Sequence, residues 1–214
     1  MPRQDNPTVY RVETERLVLR CWQPGDVEEL CAAIRDSLDE LREWMPWAHD
    51  EPQSPDEKLA FIREARSAFD DDRDFIFGIF DTDDETVVGG TGLHTGRGTG
   101  VREIGYWIRS SHTGRGYATE STAALTQVAF EIQAVHRVEI RCAPDNTASA
   151  AIPEKLGFKH EGTLQKAGTD AHGNPRDTMI WGMPDTIFPG SPPDNAAIDG
   201  FDIRHRNVLS NRSR

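Results

Sequence analysis

The residues from Glu103 to Glu120, Glu-Ile-Gly-Tyr-Trp-Ile-Arg-Ser-Ser-His-Thr-Gly-Arg-Gly-Tyr-Ala-Thr-Glu, join an alternating strand to a glycine turn and then to a helix. Such a junction suits an anion. Gly114 and Gly116 let the backbone come close to a ligand, and the helix behind them turns unpaired N–H groups and its positive dipole end toward it. Two phosphate loops fail on spacing: a dinucleotide-binding Gly-x-Gly-x-x-Gly needs glycine where Thr119 stands, and a Walker loop needs Gly-Lys before a Ser or Thr. A strand, glycine turn and helix can also be a tight turn with no ligand, so its company matters.

A second segment supplies that company. A short strand, Val138 to Cys142, leads into Pro144-Asp-Asn-Thr-Ala-Ser149 and then Glu154-Lys-Leu-Gly-Phe158. Together the two segments resemble the GNAT acetyltransferases, whose pyrophosphate loop reads Gln or Arg, two residues, Gly, one residue, Gly or Ala. Here the loop is Ser111-His112-Thr113-Gly114-Arg115-Gly116, with Ser111 in the place usually held by Gln or Arg. The resemblance implies acetyl-CoA as cosubstrate and no metal. It implies cofactor contacts from Ile108, Arg109, His112, Thr113, Gly114, Arg115, Gly116, Tyr117 and Ala118, and a pantetheine contact from Asn146.

With Glu161-Gly-Thr-Leu164 and Leu41-Arg-Glu-Trp-Met-Pro-Trp-Ala48, the wording is similar to the ribosomal-protein N-terminal (Rim-type) branch. Members of that branch acetylate protein N-termini, polyamines, aminoglycosides and peptide-like toxins. The expected function is therefore transfer of acetyl from acetyl-CoA to a primary amine, by direct attack in a ternary complex. The expected acceptor is the N-terminal α-amine of a protein or peptide. A polyamine, aminoglycoside or peptide-like toxin acceptor stays open, as does a non-catalytic acyl-CoA sensing module and pairing into a homodimer.

Acetyl transfer needs a held thioester, a neutral amine, a donor for the oxyanion and a proton for the thiolate. The resemblance places free backbone groups near Ile108 as the oxyanion donor and Ser149 as the thiolate's proton donor, although a first-turn serine can equally satisfy a helix N–H. Where some ribosomal members carry a basic glutamate, this chain has Gly168. Glu103 is then the best remaining base, on the argument that burial beside Trp107 would raise its pKa, with Glu161, Asp170 and His94 behind it. His94 in Gly-Leu-His-Thr more often reads as a satisfied strand histidine. Trp44 and Trp47 stand where relatives build a wall of the acceptor site; core packing between helices is the plain alternative, and Pro46 argues against a regular helix there.

The elements that must position these residues follow from pattern. Glu15 to Cys21 alternates, Leu17 and Leu19 against Val18 and Arg20, as a strand stopped by Pro24-Gly25, with Asp26 able to cap the next helix. Ser54-Pro-Asp-Glu57 is a capping box with proline at the first helical position. Phe75 to Phe80 reads as a strand buried on both faces, folded by Asp81 to Glu85 onto Thr86 to Leu93. Pro153 falls inside the short helix after Asn146. The expected fold is a single-domain α/β GNAT domain over 14–183, with a central mixed, mostly antiparallel sheet, splayed middle strands and flanking helices. An N-terminal extension would occupy 1–13, and a Pro/Gly-rich, then basic tail would run extended over 184–214.

Composition agrees with a small cytoplasmic enzyme. The chain has 214 residues and a net charge of −12, from 24 Lys and Arg against 36 Asp and Glu, which argues against nucleic acid and favours a cationic acceptor such as a basic peptide. The polar first residues show neither signal peptide nor membrane span. The three cysteines Cys21, Cys31 and Cys142 lack metal spacing and read as reduced thiols.

Overall fold

The computed structural model describes residues 7–170 and 172–211. Residues 1–6 of the expected extension, and Arg212 and Arg214 of the basic ending, lie outside the described residues. The described chain forms β1 (Arg11–Glu13), β2 (Val18–Cys21), α1 (Val27–Arg35), α2 (Leu38–Trp44), α3 (Pro55–Asp70), β3 (Phe75–Phe80), β4 (Val87–Thr95), β5 (Val101–Ile108), α4 (Tyr117–Glu131), β6 (Arg137–Cys142), α5 (Thr147–Lys155), β7 (Lys159–Thr169), β8 (Pro175–Pro184), β9 (Asp199–Phe201) and β10 (Asn207–Ser210). The strands make one sheet in the order β10-β9-β1-β2-β3-β4-β5-β6-β8-β7. All pairings are antiparallel except β5 with β6, the mixed sheet with flanking helices that the sequence implies.

The strand expected to be buried on both faces is so because the sheet carries a core on each side. Phe75, Phe77 and Ile79 point into a cluster with Leu93, Ile104 and the α4 residues Leu125 and Val128. Phe80 points the other way, among Trp22, Leu30, Ile34 and Ile62 beneath α1 and α3, with Ile76 packed against that cluster. The α3 capping box forms: Ser54 Oγ accepts the Glu57 N–H at 3.3 Å, and the Glu57 carboxylate accepts the Ser54 N–H at 2.8 Å. Asp26 does not cap α1 with its side chain. Its carboxylate instead grips the buried Arg20 guanidinium at 2.8 and 2.9 Å, because a buried cation needs a charged partner more than a helix end needs one more acceptor.

Two expectations are corrected. The segment before residue 14 is not merely an extension, since β1 lies in the sheet between β2 and β9. The tail beyond Pro184 does not run extended either: β9 adds to β1, and β10 pairs with β9. Apolar anchors hold it. Phe188 stacks on Phe130 of α4 with ring centroids 4.6 Å apart, and Ile198 is 1% exposed. Buried Asp202 closes the β9–β10 turn by accepting the Arg204 and Arg206 N–H groups at 2.8 and 2.9 Å. Among the described residues no helix is long and apolar enough to cross a membrane.

Candidate active site

The glycine turn lies between β5 and α4. A 3-10 turn at Ser110–His112 leads to extended Thr113, and then Gly114 and Gly116 take φ of 74° and 82°, the left-handed region open to glycine. Gly116 is the N-cap of α4 and offers no side chain to the first-turn N–H groups, which stay available to an anion. A Cβ at Gly114 would meet nothing within 4 Å. The loop is braced from behind, where Arg16 Nη1 donates to the Arg115 carbonyl at 3.0 Å while its guanidinium pairs with Glu120 at 2.5 Å. Arg115 Nη2 donates to the Ser111 carbonyl at 3.0 Å, and the Thr113 hydroxyl to that of Ser110 at 2.9 Å. The His112 ring stacks on Tyr117 at 6.4 Å, its pKa held below the ordinary imidazole value by burial and by Arg115 and Arg109. Ala118 lies in the first turn of α4.

Upstream of this loop the sheet opens. β5 pairs with β6 from Val101↔Arg137 to Ile104↔Ile140 and no further, so Gly105 to Ile108 diverge from the neighbouring strand. An extended amide-bearing chain such as pantetheine fits a gap with exposed backbone N–H and C=O groups on one wall. At the head of the gap, Asn146 Oδ1 accepts the Ser149 N–H at 3.0 Å and caps α5. That leaves Asn146 Nδ2 without a hydrogen-bond partner among the described residues. The Ser149 hydroxyl does not satisfy a helix N–H; it lies 3.1 Å from Tyr106 Oη, which also donates to the Ser149 carbonyl at 3.2 Å. Burial pushes the Tyr106 phenol well above its ordinary pKa, partly offset by the Ser149 bond, so Tyr106 carries its proton at neutral pH. The group is a protonated two-hydroxyl relay facing the gap.

A cavity of about 820 Å³ runs over the other face of β5 and through the gap to Tyr106, Asn146 and Ser149. Gly90 and Gly105 line it, each in register with a further glycine, Gly78 and Gly92 respectively. Aromatic rings lie flat where side chains are missing, with the Trp107 indole 2.5 Å from where a Gly90 Cβ would stand and Trp22 2.9 Å from that of Gly78. Trp44, Trp47 and Phe61 add walls, Trp47 meeting Trp107 edge-on at 6.2 Å. Arg176 spreads over Trp44 at 4.4 Å and pairs with Asp145 at 2.7 Å. Asp50, Glu51, Glu57, Glu103 and Asp177 line the cavity against Lys58, Arg141 and Arg176. His94 lines it as well; its Nδ1 lies 3.0 Å from both carboxylate oxygens of Asp74.

The residues singled out in the sequence fall into two groups. Ser149, Asn146, Trp44, Trp47 and Glu103 line the cavity, whereas residues 108–118 do not and run on from the end of β5. Two differ in setting. The Arg109 side chain turns away from the loop to Glu29 at 2.8 Å and to Asp36, tying the end of β5 to α1; only its backbone stays near the gap. Glu103 is not desolvated: its side chain is 33% exposed and stands 3.1 Å from Arg141 Nε, so the premise of its assignment as base, burial beside Trp107, is not met. Tyr106, Arg16 and Asp74 were missed. The alternation of β5 gave the only signal for Tyr106, and the other two come into play through contacts distant in sequence.

The acetyltransferase (GNAT) domain family matches residues 16–159, and the chain belongs to that family. Uncharacterized N-acetyltransferase YjdG of Bacillus subtilis (strain 168) is 32% identical over 151 residues, covering 69% of this chain and 88% of that protein. The [Ribosomal protein uS5]-alanine N-acetyltransferase of Escherichia coli (strain K12) is 28% identical over 164 residues, or 74% of this chain and 83% of that one. In fold, the microcin C7 self-immunity acetyltransferase MccE, solved in complex with acetyl-CoA and AMP, superposes with a TM-score of 0.73 at 23% identity, over 80% of this chain and 93% of that chain. The chain is thus a GNAT-type N-acetyltransferase related to the ribosomal-protein enzymes.

Proposed function

We propose that this protein carries the acetyl group of acetyl-CoA to the N-terminal α-amine of a protein or peptide, by direct attack within a ternary complex. The observation that carries the reading is the gap between β5 and β6, with the anion-binding glycine loop at one end and the aromatic, carboxylate-lined cavity opening beside it. Loop N–H groups and the α4 dipole would hold the pyrophosphate, and the free backbone edge of Gly105 to Ile108 with Asn146 Nδ2 would hold the pantetheine. The same backbone edge would meet the oxyanion. Ser149, hydrogen-bonded to Tyr106, would protonate the departing thiolate.

The acceptor is argued from chemistry. Five carboxylates around aromatic walls attract a cation, and an α-amine with a reference pKa of about 7.7–8.0 is neutral often enough at pH 7 to attack with modest help. The relative acting on the alanine of a ribosomal protein supports a protein terminus over a small molecule. The test is calorimetry with acetyl-CoA together with thiol release against peptides beginning with Ala or Ser, spermidine and an aminoglycoside. Peptide-dependent release supports the reading, release with spermidine or the aminoglycoside alone replaces the acceptor, and binding without release from any amine sinks the transferase in favour of an acyl-CoA sensor.

A further inference from the structure

His94 occupies the cavity floor in a way that packing does not require. Its side chain is 41% exposed and that of Asp74 31%, so the pair is too wet to add much to stability. Yet room is made for it: a Cβ at Gly92 would stand 2.7 Å from His94 Nε2, and one at Gly105 3.6 Å from it. The two glycines together form a trough along which the ring lies, with Trp107 two residues further along the same face of β5. Because both Asp74 oxygens face Nδ1, that nitrogen carries the hydrogen in the neutral ring, and the lone pair is on Nε2, beside the trough. The trough runs next to Ile104↔Ile140, the last rung before the gap opens, while Tyr106 and Ser149 lie on the opposite face of β5.

We infer, resting on the amine acetylation argued above, that His94 is the general base for the acceptor and that Asp74 is the residue that positions it. The protons balance across the strand. The acceptor ammonium gives one proton to Nε2, directly or through one water, and becomes the attacking amine. The N–C bond forms and the C–S bond breaks. The thiolate takes a proton from the Ser149–Tyr106 pair on the other face, and the second proton on nitrogen, leaving through water as the amide forms, restores that pair. The net release is one proton to solvent, shed from His94 at the end of the cycle.

The charged groups facing His94 are Asp74 ahead of β3, and Glu103 and Arg102 on β5; Arg141 of β6 reaches Glu103. The Asp74 hydrogen bond, with the charges of Asp74 and Glu103, holds the imidazole above its ordinary pKa against the opposing pull of burial and Arg102. Glu103 thereby gains a role other than base, as a charge beside the imidazolium.

The experiment is thiol release with the amine panel above, for the wild type, His94→Gln and Asp74→Asn, between about pH 5.5 and 9, beside acetyl-CoA calorimetry and melting curves. His94→Gln is expected to lose about 10²-fold or more in kcat/KM for the amine, with acetyl-CoA affinity and fold retained, and to lose the rising limb of the pH profile. Asp74→Asn is expected to keep a limb shifted to lower pH, which a merely structural contact would not produce. If His94→Gln keeps the wild-type rate and limb, the base is overturned and the transferase stands. If the wild type binds acetyl-CoA but releases no thiol with any amine, both are overturned.

Discussion

Gly114 allows the cofactor loop to be tested with charge separated from shape. A Cβ there points into open space, whereas one at Gly116 would meet Arg16 Nη2 at 3.5 Å, so an aspartate at 116 would find a cation and one at 114 would not. At φ 74°, Asn and Asp are the side chains that tolerate the backbone best, and the pair Gly114→Asn and Gly114→Asp differ in one charge. The backbone term, about 1 kcal/mol, is common to both and should lower Tm by about 2–4 °C in each. The charge term appears only with ligand. A carboxylate about 5 Å from a phosphate charge, at an effective dielectric of about 20, is repelled by about 3 kcal/mol, or about 10²-fold in Kd. Calorimetry with acetyl-CoA should therefore show Gly114→Asp about 10²-fold weaker than Gly114→Asn, with part of the gap closing at high salt. Equal affinities for the two variants, or wild-type affinity in both, would refute the placement of the pyrophosphate on this turn.

Ser149→Ala and Tyr106→Phe should each lower kcat while leaving acetyl-CoA affinity near wild type, because both hydroxyls face the gap and neither holds the loop; calorimetry beside steady-state kinetics separates the two effects. Phe188→Ala should cost about 3–5 kcal/mol in chemical denaturation by removing the ring stacked on Phe130, the anchor of a tail otherwise rich in proline and glycine. His94→Gln should also change stability with pH. A histidine whose folded pKa is raised stabilises the fold fully below its ordinary value, about 6.5, and loses that contribution as pH climbs through the raised one. The Tm gap between variant and wild type is therefore small, because the pair is partly exposed, and is largest in mild acid, closing at alkaline pH.

Legibility followed the range of the interaction. The glycine turn could be read because φ near 80° demands glycine locally, and the α3 start because its capping box spans four adjacent residues. Asn146 and Ser149 share one helix turn, so their order on the chain already sets their order in space. What could not be read depends on register across the sheet. β1 and β9 are three residues each, too short for alternation to show, and pair with each other across nearly the whole length of the chain. His94 meets Asp74 because β3 and β4 pair Phe75 with Leu93, which sets the next residues on each strand side by side. Glu103 looked buried because Trp107 shares its face, but the glycines in between leave that face open.

The pairing of β1 with β9 has a consequence for how the molecule is made. Arg11 sits beside Phe201, so a strand emerging early in translation waits for one emerging late, and at about 5–20 residues per second that interval is roughly ten to forty seconds. During it β1 has a partner only in β2, and the cofactor loop, the gap and the cavity can form before the far edge of the sheet is closed. Closure of the loop between β1 and β9 is also the most entropically demanding contact in the sheet, which places it late in refolding from denaturant as well.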